Sequence, residues 1–191
     1  MEAQMTDPQP KRLDFEDESP LGYFSKLTEF IYDPHYARYL RRIAERYRRD
    51  LLPEDLDLMP FFVDALIFET YIDGQTPLDR FLSSYASQLT QAQRRVYQNF
   101  KHYLFSCYRI VSHPGSDGIL LEDLLDGSQV LIRDGDARRQ LMTGLYTVAR
   151  LLPFADYHVP TGACAMLSYQ DPAQVLEITR LLKLPPLIVS A

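Results

Sequence analysis

Apolar positions recur at helical spacing through the front half of the chain, and the pattern then shifts to short β-rich runs. After Asp33, Tyr36, Tyr39, Leu40, Ile43, Tyr47 and Leu51 fall on one face at about 100° per residue, which predicts a single amphipathic helix reaching Leu51. Arg38, Arg41, Arg42, Arg46, Arg48 and Arg49 occupy the opposite arc. Met59 to Ile72 is apolar nearly all round, interrupted by Asp64, Glu69 and Thr70, and predicts a buried central helix. In a further helix Val96, Tyr97, Phe100, Tyr103 and Leu104 face inward, with Arg94, Arg95, Lys101 and His102 outside.

The helix starts carry capping chemistry. Asp33-Pro34 and Thr76-Pro77-Leu78-Asp79 each set a capping side chain before a proline at the first helical position. Thr90-Gln91-Ala92-Gln93 is a capping box. Asp171-Pro172 opens a last helix to about Leu184, where Pro185-Pro186 stops it. Between these, Phe105 to Val111 is aromatic and β-branched, and His113 to Gly118 is a turn cluster. Ile119 to Leu125, Asp126-Gly127 and Gln129 to Arg133 read as a hairpin, with another turn at Asp134-Gly135. Leu145 to Leu152 and Val159 to Tyr169 supply two more strands. The predicted class is α+β: an N-terminal helical bundle, a small antiparallel β-barrel or curled sheet, and a C-terminal helix. The expected division is a flexible acidic lead-in over 1–19, a helical domain over 20–104, a β domain over 105–169, and a helix and tail over 170–191.

Composition narrows the functions. The 191 residues are 46% hydrophobic and 24% charged, enough for a core and too apolar for wholesale disorder. A net charge of −6 excludes a generic nucleic-acid binder, although the lead-in is acidic (Glu2, Asp7, Asp14, Glu16, Asp17, Glu18) and Arg38 to Arg49 is strongly basic. With only Cys107 and Cys164, a four-cysteine zinc site is excluded. There is neither a secretion signal nor an apolar run of about 18 residues, so a cytoplasmic location without a membrane span is expected.

Phe61-Phe62-Val63-Asp64-Ala65-Leu66-Ile67-Phe68-Glu69, followed by Asp73-Gly74-Gln75-Thr76-Pro77-Leu78-Asp79-Arg80-Phe81-Leu82, resembles a recurring bacterial pattern. Leu120 to Gly127 and Ala149-Arg150-Leu151-Leu152-Pro153-Phe154 extend the resemblance. The family is an uncharacterised bacterial one, some of whose members carry a SEC-C-type zinc-binding tail, and the likeness covers about residues 58–168. This chain ends in Pro185-Pro186-Leu187-Ile188-Val189 without a cysteine cluster, so the resemblance implies the architecture and no zinc site.

Six guanidiniums on one helix face suit phosphates or an acidic partner through forked hydrogen bonds, or form a solvated face covered by the acidic lead-in. Asp64 and Glu69, in a helix expected to be buried, could serve as an acid/base pair or as metal ligands. Five residues apart they diverge by about 140°, which favours Asp64 pairing with an arginine and Glu69 reaching the surface. His35, His102, His113 and His158 have no metal-ligand spacing, no phosphate-binding glycine loop is present, and both cysteines fall in predicted strands as small buried hydrophobes.

The leading expectation is therefore a non-enzymatic adaptor or regulator without metal or cofactor. It would bind a protein partner with an acidic surface through Arg38, Arg41, Arg42, Arg46, Arg48 and Arg49, in an oligomeric state the sequence leaves open. Two alternatives remain: a sequence-tolerant RNA or DNA binder, and an enzyme with a carboxylate site at Asp64, Glu69 and Asp73. Heparin competition and a steep salt dependence distinguish nucleic-acid binding.

Overall fold

A computed structural model describes residues 12–167 and 171–190, apart from the side chains of Arg49 and Gln140. Of the acidic lead-in, residues 1–11 lie outside the described residues, as does the end of the strand expected to reach Tyr169. The protein is α+β, with seven α-helices and seven strands among the described residues. It divides into two compact units, one of 1–46, 62–97 and 185–191, the other of 47–61 and 98–184.

In the first unit, α1 (Pro20–Ile31) starts at Ser19, whose hydroxyl accepts from the Gly22 amide. Helix α2 (Pro34–Ala44) starts at Asp33, which accepts from the His35 amide at 2.9 Å. Helix α4 (Pro77–Ser84) has a complete capping box between Thr76 and Asp79, and α5 (Gln91–Asn99) a reciprocal pair between Thr90 and Gln93. The buried tyrosines and phenylalanines form one aromatic core. Tyr97 lies 4.7 Å from Phe81 and 5.4 Å from Tyr23, centroid to centroid, and Phe30 bridges Tyr36, Phe81 and Tyr85.

Three expected helices end early. The helix from Asp33 stops at Ala44 instead of reaching Leu51, and Arg49–Leu51 is a separate 3₁₀ turn. Beyond Ala44 the apolar positions serve different partners: Tyr47 is buried in the second unit, where its hydroxyl donates to the Leu182 carbonyl, whereas Leu51 is exposed. The run from Met59 is helical as α3 (Met59–Glu69), and Thr70–Ile72 is strand β1. There the Thr70 hydroxyl donates to the Ala65 carbonyl, and Asp73 and Gly74 turn at positive φ (52° and 80°), so the backbone leaves the helix for a β-prone triplet. Strand β1 pairs in parallel with β7 (Leu187–Val189), within the segment expected to be a tail. Helix α5 gives way to a 3₁₀ turn at Phe100–His102, which leaves Leu104 exposed at the start of a strand instead of facing inward.

The second unit is built on β2 (Leu104–Ser112), β3 (Gly118–Asp123), β4 (Gln129–Arg133), β5 (Tyr146–Phe154) and β6 (Tyr157–Leu167). The hairpin between β3 and β4 turns at Gly127, with φ 74°. Antiparallel pairing runs β4-β3-β2-β5-β6, and the curled sheet closes on itself at one parallel pair, Ile132 opposite His158. Tyr108, Ile110, Ile119, Leu121, Val130, Ile132, Ala149 and Leu151 fill its interior. Helix α7 (Pro172–Leu182) packs on β2 and β5 through Val175, Ile178, Thr179 and Leu182. Asp134-Gly135, expected as a turn, instead caps a short helix α6 (Gly135–Gln140), because the Asp134 carboxylate accepts from the Asp136 and Ala137 amides.

Candidate functional site

The arginine segment is laid out by α2 and the turns after it. His35, Tyr36, Tyr39 and Ile43 are buried on the inner face of α2, so Arg38, Arg41 and Arg42 project outward. The Arg38 guanidinium lies 4.7 Å from the Tyr39 ring centroid and donates to its hydroxyl at 2.7 Å. Arg41 and Arg42 occupy the last turn, where free carbonyls favour cations by about 0.3–1 kcal/mol. Among the described residues neither meets an acidic side chain.

The other three arginines have separate fates. Arg46 donates to the Pro185 carbonyl at 2.5 Å and so ties the segment leading into β7 to the first unit. Arg48 and Arg49 belong to the second unit. Arg48 makes a two-pronged pair with Asp50, at 3.0 and 2.8 Å, and this pair raises the arginine and lowers the carboxyl from their ordinary values. The six-arginine arc on one helix is therefore corrected to three arginines on α2. Asp50, two residues past Arg48, is the sequence signal that the charge pattern overlooked.

The described part of the acidic lead-in packs elsewhere. The Leu13 amide donates to Gln88, Glu18 accepts from Gln93, and Phe15 sits 5.5 Å from Tyr23. Asp14, Glu16 and Asp17 line a cleft of about 470 Å³ with Leu21, Gly22, Ser25 and Lys26. The Gly22 position is obligatory, since a Cβ there would lie 2.3 Å from the Asp17 carbonyl oxygen. None of these carboxylates pairs with Arg38, Arg41 or Arg42.

The remaining candidates stay dispersed. Asp64 is buried in α3 and Glu69 is half-buried, while Asp73 accepts from Arg80 at 3.2 Å in the turn after β1. His35 is buried, His102 exposed, and His113 and His158 half-buried. Among the described residues no three His, Cys, Asp or Glu side chains gather as a metal-binding set. Cys107 is buried under α7, and burial pushes its thiol up; Cys164 is exposed on β6, contrary to its expected burial, because alternate β6 residues turn outward. Sequence reasoning also passed over Arg150, 2% exposed, whose guanidinium stacks 4.3 Å from Tyr103 and 5.0 Å from Phe105.

Among the described residues no helix is long and apolar enough to cross a membrane. A protein-family model described as a family of unknown function, DUF7986, matches residues 26–180, a wider span than the 58–168 suggested by the residue patterns. No curated protein and no solved structure matches the chain.

Proposed function

We propose that this chain, which belongs to the family of unknown function DUF7986, is a non-enzymatic binding module that takes an acidic protein partner on the outer face of α2. The reading includes a bacterial, cytoplasmic setting. Its single supporting observation is the pair Arg41 and Arg42, exposed side by side without an acidic partner among the described residues. Arg38, folded over Tyr39, extends the same surface by one helical turn.

The test uses labelled polyglutamate and a labelled single-stranded RNA as probes, with anisotropy read at low and high salt. Two exposed contacts of about 0.2–1 kcal/mol each make the Arg41→Gln/Arg42→Gln variant bind polyglutamate about 2- to 30-fold more weakly. The difference shrinks as salt rises. Equal binding by both proteins removes the surface from consideration. A preference for RNA, lost in the same variant, would favour nucleic acid over protein.

A further inference from the structure

We propose that β7 is exchangeable between copies of this chain, so that Leu187–Val189 of a second copy seats on β1 in place of the chain's own strand. The pairing is parallel and three residues long, with Thr70 opposite Leu187, Tyr71 opposite Ile188 and Ile72 opposite Val189. It forms the whole of a two-stranded sheet, an arrangement that is marginal by itself. No residue of β7 is fully buried, and Ile188 is 77% exposed. Two further bonds hold the segment: the Asp73 amide donates to the Val189 carbonyl at 3.0 Å, and Arg46 donates to the Pro185 carbonyl.

Connectivity singles out the second copy as the occupant. Helix α7 belongs to the second unit and β7 to the first, and Pro185-Pro186 stands between them. Two prolines fix φ and leave a short, stiff connection, the kind of hinge that invites exchange of an identical element. The β1 edge already accepts this sequence in this register, and both holding bonds end on backbone carbonyls of the segment. A strand from another copy therefore satisfies every donor that the chain's own strand satisfies. The tethered strand has an effective concentration in the millimolar range, so exchange grows as protein concentration approaches it.

The experiment uses the full chain carrying Cys164→Ser, which leaves the buried Cys107. A Tyr71→Cys chain is mixed with an Ile188→Cys chain near millimolar concentration, oxidised, and run on a non-reducing gel. Paired strands lie about 4.8 Å apart, within disulfide reach. The expected product is a cross-chain dimer that exceeds what either variant forms alone and rises with concentration. A Tyr71→Cys/Ile188→Cys chain closing on itself at low concentration sets the geometric reference. Internal closure in that chain with no cross-chain product in the mixture overturns exchange. So does failure of the double variant to close, which would remove the β1–β7 pairing itself. Equally efficient dimerisation of Ile188→Cys alone also overturns it, since that would place two β7 edges side by side.

Discussion

Two buried tyrosines should respond in opposite directions to loss of the same atom. Tyr97 and Tyr108 are each 0% exposed, one in the aromatic core of the first unit and one inside the curled sheet of the second. The Tyr97 hydroxyl donates to the Tyr23 carbonyl at 3.0 Å. The Tyr108 hydroxyl is buried without a hydrogen-bond partner among the described residues. Burial pushes both phenols up, Tyr97 with a further push from the Tyr23 phenol and Tyr108 from the Asp123 carboxylate. Replacement by phenylalanine keeps each ring and deletes only the oxygen, so the cavity term is small in both cases.

The magnitudes follow from the asymmetry of hydrogen bonding. Tyr97→Phe gives up a made bond with a net value of about 0.5–1.5 kcal/mol. Tyr108→Phe removes a desolvated hydroxyl whose unmet cost is about 1–3 kcal/mol, so it should stabilise by roughly 1 kcal/mol or more. Urea unfolding followed by far-ultraviolet circular dichroism reads both, with a shift in midpoint at unchanged slope marking a true stability change. In thermal scans the expected shifts are about 2–4 °C per kcal/mol and opposite in sign. A Tyr108→Phe protein destabilised as much as Tyr97→Phe would refute the reasoning, and would mean that the Tyr108 oxygen is satisfied after all.

Two further outcomes are expected from local features. Burial lowers His158, which sits at the rung that closes the curled sheet among the described residues, so the fold favours its neutral form. The unfolded chain takes up the proton near pH 6.5, so stability is full above that value and is lost as pH falls toward the lowered folded value. His158→Asn should lose less stability between pH 7 and 5 than the parent in urea titrations. Thr76→Ala removes the hydroxyl that accepts from the Asp79 amide at 3.2 Å and donates to its carboxylate at 2.8 Å. It should cost about 1 kcal/mol, and a thermal midpoint within error of the parent would show that the cap contributes nothing.

The chemistry visible in the sequence was the chemistry satisfied within a few residues. Asp33, Thr76, Thr90 and Asp171 all cap the helices that their spacing announces, and the Asp126-Gly127 turn joins the two strands on either side. Ser19-Pro20 carries the same signature and starts α1. The misread elements are those decided at long range. Thr70-Tyr71-Ile72 continues the apolar run of α3 and becomes a strand because Leu187–Val189 lies beside it. Tyr47 keeps the helical spacing of α2 and leaves it because its partner is the Leu182 carbonyl. The site followed the same rule. The outward aim of Arg38, Arg41 and Arg42 was legible from the apolar face opposite, whereas the engagement of Arg46 by a carbonyl in the 185–191 segment was not.

What remains of the arginine surface limits how it can work. If Arg41 and Arg42 contribute at most about 1 kcal/mol each as exposed charges, they supply a small part of the roughly 8 kcal/mol that micromolar binding requires. The chain's net charge of −6 opposes an acidic partner at long range, so the attraction has to be local to this face. The arginines would then act by orienting the partner and speeding its approach, with the remaining affinity drawn from apolar contact. The same unit offers an aromatic beside α2 for that purpose: Tyr32, 70% exposed, at the end of α1 and next to the Asp33 cap of α2. Charge and contact should separate in kinetics. Arg41→Gln/Arg42→Gln would slow association in a salt-dependent way, and Tyr32→Ala would speed dissociation at any salt.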